Sequence, residues 1–166
     1  MPHKMTALNQ MNQAEFTAAL GEIFEQTPQV AQQAWQSRPF ASRADLHQKM
    51  LAVVAQMSQG EKLALIRAHP DLGSKAKMAA ASVQEQAGAG LNQLSADEFE
   101  RLHRLNQAYR SKFGFPFIIA VKQQNKIRIL ATFEQRLTNS PEAEQAQAIA
   151  EIAQIAGFRL ETAVDE

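Results

Sequence analysis

The sequence predicts an all-α fold, in which residues 1–166 form a single-domain bundle of about seven to nine helices. The chain is rich in Ala, Gln, Leu and Glu, which are good to fair helix formers. Apolar residues recur three and four positions apart through most of the chain, as they do on one face of a helix. Capping signals, such as a Ser followed three residues later by an acidic residue, divide these stretches into separate helices.

The N-terminal region predicts two helices. The first spans residues 13–26, and its apolar face carries Phe16, Leu20, Ile23 and Phe24. Thr27 and Pro28 have the pattern of an N-cap and a first-turn proline, which opens a short helix that continues to Trp35. Residues 1–12 carry no comparable pattern, so we expect a loosely ordered N-terminal segment.

Two helices with clear start signals follow. Ser42 begins a helix whose inward face carries Leu46, Met50, Val53, Val54 and Met57. Ser58 and Glu61 form a capping box at the start of the next helix. That helix is expected to stop before Pro70, because proline disfavours helical geometry at the residue before it. His69 therefore lies at a helix end.

The second half of the chain predicts three more strong helices. The first begins at Ser95, and its inward face carries Phe99, Leu102, Leu105, Tyr109 and Phe113. The others span residues 127–137, with Ile127, Leu130, Phe133 and Leu137 inward, and residues 140–160. Residues 117–121 and 126–130 are also compatible with strands, but an isolated hairpin is marginally stable, so the prediction stays all-α.

Charge and composition exclude several classes of function. Lys+Arg and Asp+Glu both number 17, so the net charge is zero and no long-range field draws the chain onto nucleic acid or an anionic membrane. The absence of cysteine excludes disulfides, thiolate metal sites and thiol nucleophiles. No histidine pair has the spacing of a helical zinc site, so we expect no metal. No secretory signal or membrane span is visible, and we expect a cytoplasmic protein.

His69 is the histidine whose position best suits catalysis. Pro70 restrains the backbone next to it, and an imidazole titrates near neutrality, so it can move a proton in either direction. The structural alternative is that His69 caps the helix C-terminus, where a cation interacts favourably with the helix dipole. The spacing alone leaves both roles open.

Three further segments can contact a small polar ligand. Ser82 and Glu85 have the spacing of a capping box, but the same helix start can also offer N–H groups to a ligand, beside the Glu85 and Gln86 side chains. Phe113–Ile119 alternates aromatic residues around a Gly and a Pro, which is typical of a core plug or of an apolar pocket wall. Arg159 can offset a helix dipole, join a surface ion pair or grip a carboxylate.

Five short sequence motifs occur in a definite order along the chain. They are Glu25-x-Thr27-Pro28, Arg38-Pro39-Phe40, Ala68-His69-Pro70-Asp71-Leu72-Gly73, Ser82-x-x-Glu85-Gln86, and Tyr109-x-x-Lys112-Phe113-Gly114-Phe115-Pro116-Phe117. From about Phe16 to Leu160 the chain thereby resembles the family of 2-oxo-4-hydroxy-4-carboxy-5-ureidoimidazoline (OHCU) decarboxylases. The combination and order of the blocks are far more specific than any block alone.

The resemblance implies an all-helical, cofactor-free homodimer that converts OHCU to (S)-allantoin and CO2, the last step from urate to allantoin. It implies that His69 is the general acid/base, and Glu85 is a second catalytic candidate. The implied substrate-binding residues are Pro70, Ser82, Val83, Gln84, Glu85, Gln86, Phe117, Ile118, Ile119, Ala120, Val121 and Arg159. In this substrate a ring C=N adjoins the carboxylated carbon, so the ring itself can accept the electron pair without a cofactor.

Two alternatives remain open. The chain could be a non-enzymatic helical interaction module that binds a partner through the Phe113–Ile119 apolar segment. It could also be another cofactor-free lyase or hydrolase that acts on a related ureido compound without releasing CO2. The decarboxylase hypothesis requires the His69 imidazole, the Glu85 carboxylate and the backbone near Ile119 to share one pocket, whereas the module predicts that His69 and Glu85 are far apart.

Overall fold

The described part of the protein is mostly helical, as the sequence predicts. The computed structural model describes the backbone of residues 1–73 and 80–166, and the side chains of residues 1–73 and 83–166. The nine α-helices of these residues are α1 Met5–Gln10, α2 Gln13–Leu20, α3 Gln29–Ala34, α4 Arg43–Ala55, α5 Gln59–Arg67, α6 Ala80–Gly88, α7 Ala96–Phe113, α8 Lys126–Arg136 and α9 Pro141–Ala163. Within the same ranges, no helix combines the length and the apolar character needed to cross a bilayer.

The chain divides into two compact units. The first consists of Met1–Ala68 and Ala153–Glu166, and the second is His69–Ile152. The first unit contains α1 to α5, a 3-10 turn at Trp35–Ser37 and the end of α9, whereas α6, α7 and α8 lie in the second. Every predicted site residue except Arg159 falls within the second unit.

The first unit begins with a pairing that local periodicity does not predict. Strand β1, His3–Lys4, pairs in parallel with β2, Val164–Asp165, so that His3 lies opposite Val164. Helix α1 follows directly, and its Met5 and Leu8 are buried. Residues 1–12 thus contain regular structure where the sequence predicts a loosely ordered segment. A strand of two residues has no period that a sequence pattern can reveal.

The turn between α2 and α3 differs from the prediction. Helix α2 ends at Leu20 with Gly21 as its C-cap, well before the predicted end at Gln26. Gln26 itself has a φ of 45°, outside the right-handed helical region, so the helix could not have included it. Thr27 is not an N-cap, since its hydroxyl donates to the carbonyl of Glu25 at 2.8 Å. Helix α3 begins two residues later, after Pro28.

The capping signals at the starts of α4, α5 and α7 are confirmed. The Ser42 hydroxyl accepts from the Asp45 backbone N–H at the start of α4. Capping boxes that begin at Ser58 and Ser95 open α5 and α7, where side chain and backbone bond reciprocally. Helix α5 ends at Arg67, as Pro70 predicts. The local signals around the candidate histidine therefore fix its place at the end of α5.

An aromatic cluster forms the core of the second unit. Tyr109 of α7 contacts Phe113, Phe115, Phe117 and Phe133. Gly114, with a φ of 77°, ends α7 in the left-handed conformation, which turns the chain back along the cluster. Phe99 and Ile127, both predicted inward, are instead 49% and 71% exposed.

The strand alternative for residues 117–130 is wrong. Residues 126–130 lie in α8, where the Asn125 side chain accepts from the Arg128 N–H and caps the helix. Residues 117–121 are irregular backbone rather than a strand. They are nevertheless buried, so their backbone polar groups need partners other than a sheet.

Candidate functional site

The end of helix α5 places His69 in a buried position. Ala68 closes the helix with a bond from its N–H to the carbonyl of Ala64, and Pro70 prevents the helix from continuing. His69 is 7% exposed, although helix-end residues commonly face water. A histidine that only offset the helix dipole would need no burial, and burial withdraws the ring from water at a free-energy cost. The burial therefore does not fit a role limited to offsetting the helix dipole at the surface.

The loop after His69 is fastened to two helices of the second unit. The carbonyl of Leu72 accepts from Asn106 Nδ2 at 3.0 Å, and Asp71 forms an ion pair with Arg110, both on α7. Gly73, at a φ of 69°, donates its backbone N–H to Gln86 Oε1 on α6 at 3.0 Å. The Gly73–Gln86 bond connects two of the sequence blocks that were identified separately. These contacts restrain the backbone that carries His69 and Pro70.

Helix α6 presents its candidate residues unevenly. Glu85 and Gln86 are partly buried, whereas Gln84 is exposed and Val83 is 53% exposed. The Ser82 side chain lies outside the described residues. The capping-box interpretation of Ser82 is wrong, because α6 begins at Ala80 and Ser82 is already within the helix. Gln86 has a defined role, since its side chain accepts from Gly73 while its carbonyl accepts from Leu91.

The segment from Phe117 to Val121 is buried irregular backbone, fixed at two points. Its five residues are between 1% and 7% exposed. Arg136 Nη1 donates to the carbonyl of Ile118 at 2.6 Å, and Glu151 Oε1 accepts from the N–H of Ala120 at 3.0 Å. In the part of the chain that the structure describes, no hydrogen bond engages the backbone N–H or C=O of Ile119.

Buried backbone groups almost always have a hydrogen-bond partner, so the two free groups of Ile119, like those of Phe117, are unusual. A ligand, or water in its place, can supply the missing partner. The arrangement offers one donor and one acceptor within an apolar wall, which suits a small planar molecule with amide-like edges. The Phe113–Ile119 segment thus serves as a core plug that also presents backbone groups.

A buried charge network lies behind this segment. Arg136 Nε bonds Glu144 Oε1 at 2.8 Å, and Glu144 also accepts from the Tyr109 hydroxyl and from Asn139 Nδ2. Burial, followed by the hydrogen bond to Glu144, raises the pKa of Tyr109, so its hydroxyl stays a donor. Arg136 Nη2 is buried and has no partner among the described residues.

Local sequence patterns hardly predict this network. Arg136, Glu144 and Glu151 are each less than a tenth exposed, yet none of them belongs to a motif. One signal is available in α9, where Glu144 and Glu151 fall on the same stripe as the apolar Ala148 and Ile152. A carboxylate on an apolar stripe indicates a buried partner, although it does not identify the partner.

Arg159 belongs to the first unit, where it is buried rather than on the surface. Its Nη2 pairs with Glu25 Oε2 at 3.0 Å, and its Nη1 donates to the carbonyls of Glu22 and Ile23. Glu25 is fully buried and Arg159 is 7% exposed. Of the alternatives for Arg159, the surface ion pair is therefore wrong.

A separate cleft of about 290 Å³ lies beside the loop after His69. It is lined by Asp71, Leu72, Gly73, Phe99, Leu102, His103, Asn106, Gln107 and Arg110. None of the predicted site residues lines it. Among the described residues, no group of three or more His, Cys, Asp or Glu side chains is arranged to hold a metal ion.

Known proteins are similar in sequence to most of this chain. A family profile described as OHCU decarboxylase matches residues 9–161. The 2-oxo-4-hydroxy-4-carboxy-5-ureidoimidazoline decarboxylase of Haloferax volcanii is 42% identical over 160 residues, which cover 95% of each chain. The uric acid degradation bifunctional protein of Bacillus sp. (strain TB-90) is 43% identical over 95% of this chain, which spans 32% of that longer protein.

The fold is also shared. The crystal structure of an (S)-allantoin synthase has a TM-score of 0.81 and 31% sequence identity to this chain, and the match covers 99% of this chain and 54% of that one. The family match, the near full-length relative and the shared helical architecture agree with one another. The chain belongs to the OHCU decarboxylase family.

Proposed function

We propose that this protein decarboxylates OHCU to (S)-allantoin, the last step in the degradation of urate to allantoin. The observation that carries the proposal is the match, over 95% of both chains, to a relative that bears the name of this activity. The burial of His69 at the end of α5 supports it, because the family block around His69 is then part of the protein interior.

The proposed reaction breaks the bond between the ring carbon and its carboxylate. The electron pair moves into the adjacent ring C=N, so the substrate supplies its own electron sink and the step needs no cofactor. CO2 leaves, and the ring nitrogen that receives the electron pair takes up a proton. A base takes the proton of the hydroxyl, whose carbon becomes the ring carbonyl, and an acid returns a proton to one face of the adjacent carbon, the former C=N carbon that bears the ureido group. The face that receives the proton determines the S configuration of the product.

His69 is assigned to proton transfer, because an imidazole can act as base or acid near neutral pH. Glu85 is assigned either to assist that transfer or to anchor the ureido group. Ile119 offers a backbone donor and acceptor that the described part of the protein leaves unused. Arg159 is assigned to the substrate carboxylate, on its match to the C-terminal arginine of the family. Pro70, the Ser82–Gln86 stretch and the Phe117–Val121 segment complete the proposed substrate site.

The interaction-module alternative is not supported by the geometry. It requires an exposed apolar surface, yet Phe113, Phe115, Phe117 and Ile118 are all buried around Tyr109. A hydrolase that acts on a related ureido compound would use the same side chains, so only the products distinguish it from a decarboxylase.

The test follows CO2 and OHCU together. OHCU is generated in situ from urate by the two preceding enzymes, because it decays spontaneously. We expect the protein to release CO2 faster than spontaneous decay does, in step with the loss of OHCU. Faster loss of OHCU without CO2 would indicate a hydrolase, and loss at the spontaneous rate would refute the enzyme.

We further propose a homodimer, as the family resemblance implies. The zero net charge provides little electrostatic protection against self-association. Sedimentation velocity at micromolar protein measures the mass directly, and a mass twice that of the 18.4 kDa chain is expected. A single species at the mass of one chain would contradict the dimer.

A further inference from the structure

We infer that Arg136 and Glu151 are positioning residues, which hold the two peptide groups around Ile119 so that its N–H and C=O face the substrate as a donor–acceptor pair. The inference rests on the proposed function for the identity of the ligand. It goes beyond that function because neither residue belongs to any of the family blocks in the sequence. Both residues lie in the second unit and contact the Phe117–Val121 segment directly.

The geometry of the peptide bond carries the inference. In a planar trans peptide group, the C=O and the N–H point in opposite directions. Arg136 holds the carbonyl of Ile118, which shares a peptide group with the N–H of Ile119. Glu151 holds the N–H of Ala120, which shares a peptide group with the carbonyl of Ile119. Each side chain therefore grips one end of a peptide group and leaves the other end free.

The charges of Arg136 and Glu151 each polarise the peptide group that the side chain contacts. A guanidinium on a carbonyl draws electron density from the peptide group, which strengthens the N–H at its other end as a donor. A carboxylate on an N–H does the reverse and strengthens the carbonyl as an acceptor. Ile119 thus becomes a polarised pair that suits a ligand edge with one acceptor and one N–H, as a cyclic ureide has.

The side chains of Arg136 and Glu151 are themselves held in place by further contacts. Arg136 bonds Glu144 through Nε and stacks over the Phe117 ring, with its guanidinium carbon 4.3 Å from the ring centre. The second oxygen of Glu151 accepts from Gln147 Nε2 at 3.0 Å, one helical turn away on α9. Arg136 and Glu151 are 6% and 7% exposed, so water competes little for either contact. The peptide groups are consequently held in fixed orientations before any ligand binds.

Glu151 provides the sharper test, because Gln can replace it in the same shape. Glu151→Gln keeps an oxygen that accepts from Ala120 and loses only the charge, whereas Glu151→Ala loses the grip. Glu142→Ala is the matched control, since Glu142 is an exposed carboxylate on the same helix. We expect Glu151→Ala to raise KM for OHCU about tenfold with kcat nearly unchanged, because one oriented hydrogen bond is lost from substrate and transition state alike. Glu151→Gln should stay within about threefold of the wild type.

A second measurement does not depend on turnover. In protein labelled with 13C at the isoleucine carbonyl, we expect (S)-allantoin to shift the carbonyl resonance of Ile119 in the wild type, and this response to weaken in Glu151→Ala, which loses the grip on that peptide group. If Glu151→Ala does not fold, the inference is tested by the response of the wild-type resonance to (S)-allantoin and by the KM of Glu151→Gln, which should stay within about threefold of the wild type. An Ile119 carbonyl resonance that does not respond to (S)-allantoin overturns the inference in either case.

The outcomes separate the inference from the proposed function. An active wild type whose Glu151→Ala variant behaves like Glu142→Ala overturns the positioning role and leaves the decarboxylase intact. A wild type that does not accelerate the decay of OHCU refutes the decarboxylase. In that event an Ile119 response to (S)-allantoin that depends on Glu151 still supports the positioning role, and its absence ends it.

Discussion

Replacing His69 with alanine is expected to lower the rate of OHCU decarboxylation by about 10²- to 10⁴-fold, the usual contribution of a positioned general acid or base. The affinity for (S)-allantoin falls much less, because the backbone and side-chain contacts of the site remain. Steady-state kinetics with freshly generated OHCU measure the first effect, and calorimetric titration with (S)-allantoin measures the second.

Two further variants make this result specific. His69→Asn keeps a polar group but cannot titrate near neutrality, so it should be as inactive as His69→Ala. His103→Ala removes an exposed histidine of α7 and should retain full activity. Circular dichroism melting curves show whether each variant is folded. A folded His69→Ala with wild-type turnover would leave the enzyme in place and remove its mechanism.

Replacing Arg136 with methionine lowers the free energy of unfolding by about 3–5 kcal/mol, the effect of breaking a buried ion pair on one side. Glu144 is fully buried and would lose the cation that balances its charge. The loss is large against the roughly 5–15 kcal/mol that stabilises an ordinary domain. Urea unfolding, followed by circular dichroism, measures it.

A second substitution tests the cause. Adding Glu144→Gln to Arg136→Met removes the unbalanced charge and keeps an oxygen that can accept from Tyr109. The double variant should therefore be more stable than Arg136→Met alone. Equal or lower stability of the double variant would show that lost packing against Phe117, rather than the buried charge, dominates the change.

Much of the fold is predictable because its signals are local. Ser58 and Ser95 form their capping boxes with residues three positions away, and Pro70 ends α5 through a clash with its own neighbour. The same reasoning is wrong at Ser82, because Ser-x-x-Glu also occurs inside helices and only the position of Ala80 in α6 distinguishes the two cases. The pairing of His3 with Val164 joins opposite ends of the chain, so no local pattern announces it.

In the candidate site, too, some features are predictable from local patterns and others depend on the tertiary fold. The sequence makes His69 and the Phe113–Ile119 segment candidates, but it does not reveal that the imidazole is buried, since burial depends on distant parts of the chain. Arg136 and Glu151 reach the segment from 18 and 31 residues away. Contacts over such separations are set by the tertiary fold, and a single sequence carries them only as charged residues on apolar helix faces.

The configuration of the allantoin formed from fresh OHCU tests the central claim most directly, since only a catalysed protonation can favour one face of the ring. Circular dichroism of the reaction mixture follows this configuration continuously as OHCU is consumed. We expect the wild-type protein to accumulate the S enantiomer faster than OHCU decays unaided. Racemic allantoin appearing at the spontaneous rate would contradict the account.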